Sequence, residues 1–206
     1  MGFFRAIKRK KDSDTESDAG IWIHKGDTLY DSGQFEEALY AYNHALFINP
    51  GDADVWSSKG GALVHLHKYK KSIAACDRAI SINPHSETAW SNKASALAHL
   101  GKYKEAFTAC EESLKNDPDF LIAWIIKSNI LPYLGKNILA VEACEEVLNR
   151  DPYNAEIWNN KGVILEELGV YKEAKKAYDQ ALKIDPGNKK VQKNRKELEA
   201  NTPKHL

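Results

Sequence analysis

The chain repeats itself every 34 residues. Tryptophan stands at Trp22, Trp56, Trp90, Trp124 and Trp158, with an interval of 34 each time. Pro50, Pro84, Pro118, Pro152 and Pro186 keep the same interval, as do Cys76, Cys110 and Cys144. Three residue types sharing one period define an internal repeat, and a repeat of this length means a stacked array. Aligned on the prolines, five units run 19–52, 53–86, 87–120, 121–154 and 155–188 without insertion. Within a unit the apolar and small residues recur at helical spacing. In the last unit Trp158, Gly162 and Leu165 share one face of a first helix, and Gly169 breaks it. Ala174, Tyr178, Ala181 and Leu182 then form the inward stripe of a second helix. Asp185-Pro186-Gly187 stops that helix, because proline cannot continue it and glycine tolerates left-handed geometry. Each unit is therefore expected to be two antiparallel helices joined by a tight turn. A hairpin of this size cannot bury its apolar face alone, so neighbouring units must stack.

This pattern resembles the tetratricopeptide repeat (TPR) family over residues 19–188. Gly26, Ala38, Tyr42, Ala45 and Pro50 match the family pattern in the first unit, and Trp158, Gly162, Ala174, Tyr178, Ala181 and Pro186 in the fifth. The resemblance implies an all-α, right-handed superhelical solenoid of five hairpins. There are departures. Lys25, Lys59, Lys93, Lys127 and Lys161 stand where the pattern has Leu, and Leu29, Leu63, Leu97, Leu131 and Leu165 replace its Tyr. The three cysteines replace its second-helix aromatic. The recurrent lysines are expected to lie along their helices with the amines in water. The fourth unit departs most, with Ser128, Pro132, Asn137 and Val147 at positions that are otherwise small, helical or aromatic. It is expected to pack more loosely than its neighbours or at another angle.

The ends differ from the repeats. Residues 1–18 read as a disordered tail, basic over 1–11 and acidic over 12–18. Phe3, Phe4 and Ile7 could share one face of a short basic amphipathic helix, which gives a membrane surface as a second candidate partner. Residues 189–206 read as a capping helix and short tail, with Val191 and Leu198 covering the last hairpin.

Charge and cysteine content exclude several function classes. Lys+Arg and Asp+Glu are both 29, so the formal net charge is zero. A chain that coats nucleic acid would be strongly basic. Three widely spaced cysteines form neither a disulfide framework nor a zinc knuckle, and each is expected to be a small buried hydrophobe. No glycine-rich phosphate loop and no nucleophile or metalloprotease motif occurs, so no enzyme, cofactor or metal is expected. The expected compartment is the cytoplasm, with membrane association as the alternative.

In TPR proteins the first helices line a concave groove that grips an extended peptide or a partner helix. If this chain is similar, Ser58, His65, Asn92, His99, Ile122, Ile125, Ile126, Asn129, Tyr133 and Asn160 stand at the matching positions. The implied function is a non-catalytic scaffold or adaptor whose partners are other proteins, a second copy of the chain included. A peripheral membrane organiser anchored by the N-terminal segment is the alternative. Some relatives hold a free carboxy terminus in a clamp of Lys, Asn and Arg. Asn92 and Asn160 occupy the place of its middle Asn, but Ser57, Gly61, Ile122 and Ile126 surround the first. Ile125, Asn129, Lys190 and Asn194 surround the second. Strong binding of a free acidic C-terminus is therefore not expected.

Overall fold

The structure is a computed structural model that describes residues 19–201. The expectations for the tail, including Phe3, Phe4 and Ile7, lie outside the described residues. Helix α1 spans 19–31. It is followed by α2 (Phe35–Ile48), α3 (Ala53–His65), α4 (Tyr69–Ile82), α5 (Glu87–His99), α6 (Tyr103–Asn116) and α7 (Leu121–Ile130). A 3-10 turn, Pro132–Leu134, precedes α8 (Asn137–Arg150), α9 (Ala155–Glu167), α10 (Tyr171–Ile184) and α11 (Lys189–Asn201). The described chain is all-α. Consecutive helices pack against one another, and odd-numbered helices also touch, α3 with α5, α5 with α7 and α9 with α11. The odd helices thus form one row of a solenoid and the even helices the other.

Local chemistry sets the ends of these helices. Asp52 accepts hydrogen bonds from the Asp54 and Val55 amides, Ser86 from Ala89 and Asn154 from Ile157, each starting an odd helix. Phe120 stands at the equivalent place before α7 and offers no such cap. Between the helices of each unit the chain enters the left-handed region, at Gly33, Gly101, Gly135 and Gly169 in four units. In the second unit His67 does so, with φ 55°. A side chain there is strained, so His67→Gly should raise stability by about 1 kcal/mol. An unchanged or lowered urea midpoint for that variant would contradict this.

Inside each hairpin a small residue on the first helix faces a fixed place on the second. Gly26 faces Tyr42 and Gly162 faces Tyr178; a Cβ on either glycine would lie 2.5 Å from a ring carbon. Gly60 faces Cys76, and Ala94 and Cys110 share a core cluster in the third unit. The thiols are fully buried, and burial pushes Cys76 and Cys110 up to about 12 and Cys144 to about 11. The two tyrosine hydroxyls are satisfied, Tyr42 donating to Asp27 at 2.9 Å and Tyr178 to Glu166 at 3.0 Å.

The tryptophans are half-buried struts between units. Trp56, Trp90, Trp124 and Trp158 each donate their indole N–H to the carbonyl of the proline six residues earlier, at 2.9–3.0 Å. Gln192 in α11 makes the same bond to Pro186 at 2.7 Å, so α11 sits as the first helix of a sixth unit. Val191 and Leu198 on α11 are buried in a cluster with Leu165 and Tyr178.

The lysine expectation needs correction. Each of the five amines lies over the ring of its own unit's tryptophan, 4.5–5.5 Å from the centroid. Three of them also meet a carboxylate on the second helix of the preceding unit. The pairs are Lys93–Asp77 at 2.6 Å, Lys127–Glu111 at 2.7 Å and Lys161–Glu145 at 2.8 Å. Arg195 of α11 extends this ladder to Asp179 at 2.7 Å. The amines are drawn inward because the ring face and the carboxylate lie on the same side of the helix.

The fourth unit deviates where proline enters. Pro132 has no N–H to give, and in a continuing helix its ring would crowd the carbonyl of Ser128, so α7 ends after 10 residues where α3, α5 and α9 run 13. Leu131 is nevertheless fully buried, Val147 fills its place in the core, and Ser128 donates to the Ile125 carbonyl at 2.8 Å.

Candidate functional site

A groove of about 880 Å³ runs along the odd-helix row of the C-terminal half. Its floor is apolar, built from Ala98, Ile126, Ile130, Pro132, Val163 and Ile164. Its walls carry the amides of Asn129, Asn160 and Asn194, with Asn159 buried behind them. Glu156 and Glu167 supply carboxylates and Lys190 a single cation. The shortened α7 helps to shape it, since Pro132 and Tyr133 of the following turn form part of its lining.

The amides are held by one another. Asn160 Nδ2 donates to Asn129 Oδ1 at 3.0 Å, and Asn194 Nδ2 donates to Asn159 Oδ1 at 3.0 Å. These bonds orient the side chains across the α7–α9 and α9–α11 junctions. Asn159 is buried and serves as the anchor of these pairs, whereas Asn129, Asn160 and Asn194 keep partly exposed amides that suit the N–H and C=O of an extended backbone.

The ten expected groove residues are not all brought together. His99, Ile126, Asn129, Tyr133 and Asn160 line this groove. Ile122 is exposed beyond its lining, and Ile125 turns into the core beside Leu131, Val147 and Ile157. Position equivalents of Ile125, namely Ser57, Ser91 and Asn159, are likewise buried in the seam between odd helices. Asn92 lies in the N-terminal half and donates to the Ser57 carbonyl at 3.1 Å. There the surface is filled from within, since a Cβ on Gly61 would sit 3.1 Å from the Tyr30 hydroxyl and 3.2 Å from the Asn92 amide. Ser58 lies beside the Tyr42 hydroxyl.

The histidines belong to a column of stacked rings along the row of turns. His65 stacks on Phe35 at 4.1 Å, His99 on Tyr69 at 4.7 Å and Tyr133 on Tyr103 at 4.3 Å. The fourth pair is polar, with Asn137 donating to Glu167 at 3.1 Å. Burial, then the charge of His67, lowers the His65 imidazole below its usual value. The position of Asn137 opposite Glu167 explains why an aromatic is dispensable there. Glu167 and Lys190 both stand at groove positions in the sequence, and the structure brings them, from different units, into one groove lining.

Among the described residues no group of three or more His, Cys, Asp or Glu side chains could hold a metal ion. No described helix is long and apolar enough to cross a membrane.

Comparison with known proteins settles the family. The family model for the tetratricopeptide repeat matches residues 88–120 and 155–188, and the one for the TPR repeat matches 26–66, together more than half the chain. The chain belongs to the tetratricopeptide repeat family. A protein prenyltransferase alpha subunit repeat model also matches residues 69–100, which fall within the TPR array. No curated protein matches the sequence. Many solved structures share the TPR fold. PilF of Pseudomonas aeruginosa is 17% identical with a TM-score of 0.80, over 91% of this chain and 85% of that one. YrrB, described as a TPR protein with an unusual peptide-binding site, is 20% identical with a TM-score of 0.70, over 95% and 98%. A thermophilic TPR protein of Thermus thermophilus is 16% identical with a TM-score of 0.71, over 88% and 99%.

Proposed function

We propose that this TPR protein is a non-catalytic scaffold that holds an extended segment of another protein in the groove running from α5 to α11. The observation that carries the reading is the pairing of an apolar floor with two amide pairs, Asn160–Asn129 and Asn194–Asn159, oriented across it. Apolar side chains of the segment fill the floor between Ile126 and Val163, and its backbone bonds to the amides of Asn129, Asn160 and Asn194. The YrrB resemblance supports the same class of ligand, since that protein is described as binding peptide.

Charge refines the ligand. Glu156 and Glu167 outnumber Lys190 on the walls, so a neutral or basic segment is favoured over a free acidic C-terminus. The groove lies within the described residues, so the reading needs no membrane anchor.

The test is selection of peptides from a random displayed library on the immobilised full-length protein, followed by fluorescence anisotropy. Val163→Glu puts a charge on the groove floor and should weaken a selected peptide by about tenfold or more, with helicity unchanged. Peptides that bind Val163→Glu as tightly as the wild type would overturn the groove assignment.

A further inference from the structure

The ion-pair ladder has a gap at the first junction. In the four later junctions a cation meets a carboxylate 16 residues earlier, from Lys93–Asp77 to Arg195–Asp179, at 2.6–2.8 Å. The partner due to Lys59 would be residue 43, which is Asn43. Among the described residues no carboxylate pairs with Lys59. Burial lowers its ammonium below the usual lysine value, and no acidic neighbour offsets this. Its amine is still held where its counterparts are, 4.5 Å from the centre of the Trp56 ring.

The surroundings are inverted in charge as well. Lys71 and Arg78 on α4 flank the same depression, a groove of about 520 Å³ between α2, α3 and α4. At the equivalent places of the third unit the chain carries Glu105 and Glu112. Neither Lys71 nor Arg78 has an ion pair among the described residues. Apart from Asn43 the rest of the lining is apolar, Leu39, Leu63 and the Trp56 ring included. Three cations around an apolar floor, with the internal acid removed, form a socket for a carboxylate on an apolar segment.

We infer that this groove between α2, α3 and α4 docks an acidic, apolar peptide segment of a partner protein, one of whose Asp or Glu carboxylates takes the place of the missing acid on Lys59. The later junctions give the expected geometry, a carboxylate oxygen within hydrogen-bond distance of the amine. Lys71 and Arg78 hold neighbouring acidic side chains, and an apolar side chain covers Leu39 and Leu63. This surface is separate from the α5–α11 groove and prefers the opposite charge. The protein would therefore hold two segments of different character at once.

The repeat supplies its own controls. Asn43→Asp restores the ladder as the other units have it, so it should fill the socket from within and leave the fold intact. Arg78→Glu copies the third unit. The probes are a fluorescein-labelled peptide of alternating Glu and Leu and its Gln and Leu counterpart, read by anisotropy on the full chain at low salt. The Glu peptide should bind, and the Gln peptide should bind about tenfold more weakly or worse. Asn43→Asp and Arg78→Glu should each weaken the Glu peptide by about tenfold, while Val163→Glu leaves it unchanged. Equal binding of the two peptides, or indifference to Asn43→Asp, overturns the proposal. Inorganic phosphate that displaces the Glu peptide at equal concentration overturns it in favour of a simple anion site. Binding that appears only after Asp12, Asp14, Glu16 and Asp18 are replaced by amides overturns it in favour of the chain's own acidic segment.

Discussion

Tyr178→Ala should destabilise the C-terminal half of the array by about 3–5 kcal/mol. The ring is fully buried among Leu165, Ala174, Ala181, Val191 and Leu198, where α9, α10 and α11 meet. Its loss leaves a cavity that three helices would have to move together to fill. The hydroxyl bond to Glu166 goes with it. Because the stability of stacked repeats is nearly a sum over neighbours, the loss should be local, and hydrogen exchange should rise in 155–201 before it rises in α2–α6.

The same site tests how the hairpin core is specified. Gly162→Ala alone sets a methyl group 2.5 Å from the Tyr178 ring, which the packed core cannot yield. That cost should exceed the gain of about 1 kcal/mol from removing a mid-helix glycine. Placed on Tyr178→Cys, the same Gly162→Ala should become neutral or stabilising, because Ala94 and Cys110 already coexist in one cluster of the third unit. A urea-unfolding cycle with a coupling below about 0.5 kcal/mol would contradict this.

Replacing Val191 and Leu198 together by Asp should undock α11 and cause self-association. Both side chains are almost fully buried against the last hairpin. Two carboxylates cannot stay unpaired in that seam, and the penalty, more than about 4 kcal/mol if α11 remained docked, exceeds what one short helix contributes. The helix therefore leaves, taking the Gln192–Pro186 bond and the Arg195–Asp179 pair with it. Leu165 and the face of α10 become exposed apolar surface. Sedimentation velocity should show species larger than those of the wild type at equal concentration, with rapid proteolysis after Asn188. A variant that sediments like the wild type and resists protease would show that α11 is not a cap.

Much of the fold is legible because 34-residue spacing acts through local rules. Helix-breaking Gly169 and Pro186, the small residue opposite Tyr178 and the apolar pair Val191 and Leu198 each carry a meaning within one hairpin. What escapes the sequence is what depends on two units at once. The acid of each ladder pair lies on another helix, is Asp at two junctions and Glu at two, and is missing at Asn43. Lys59 therefore looks like its paired counterparts until the helices are assembled. Ile125 reads as a groove residue from its place in the unit, but its place faces the seam where odd helices touch. His65 and His99 look like free polar groups because their ring partners, Phe35 and Tyr69, belong to the preceding unit. Proline's effect on α7 was readable, whereas the wall it helps to build, with Glu167 and Lys190, needed three units in register.

A partner segment held in the α5–α11 groove should leave its footprint on backbone exchange. The most direct measurement is hydrogen exchange of the full-length protein with and without a saturating selected peptide. New protection should appear in α7, α9 and α11, around Ile126, Asn160 and Asn194, with α2, α4 and α6 unchanged. Protection confined to the even helices, with none in α7 or α9, would contradict it.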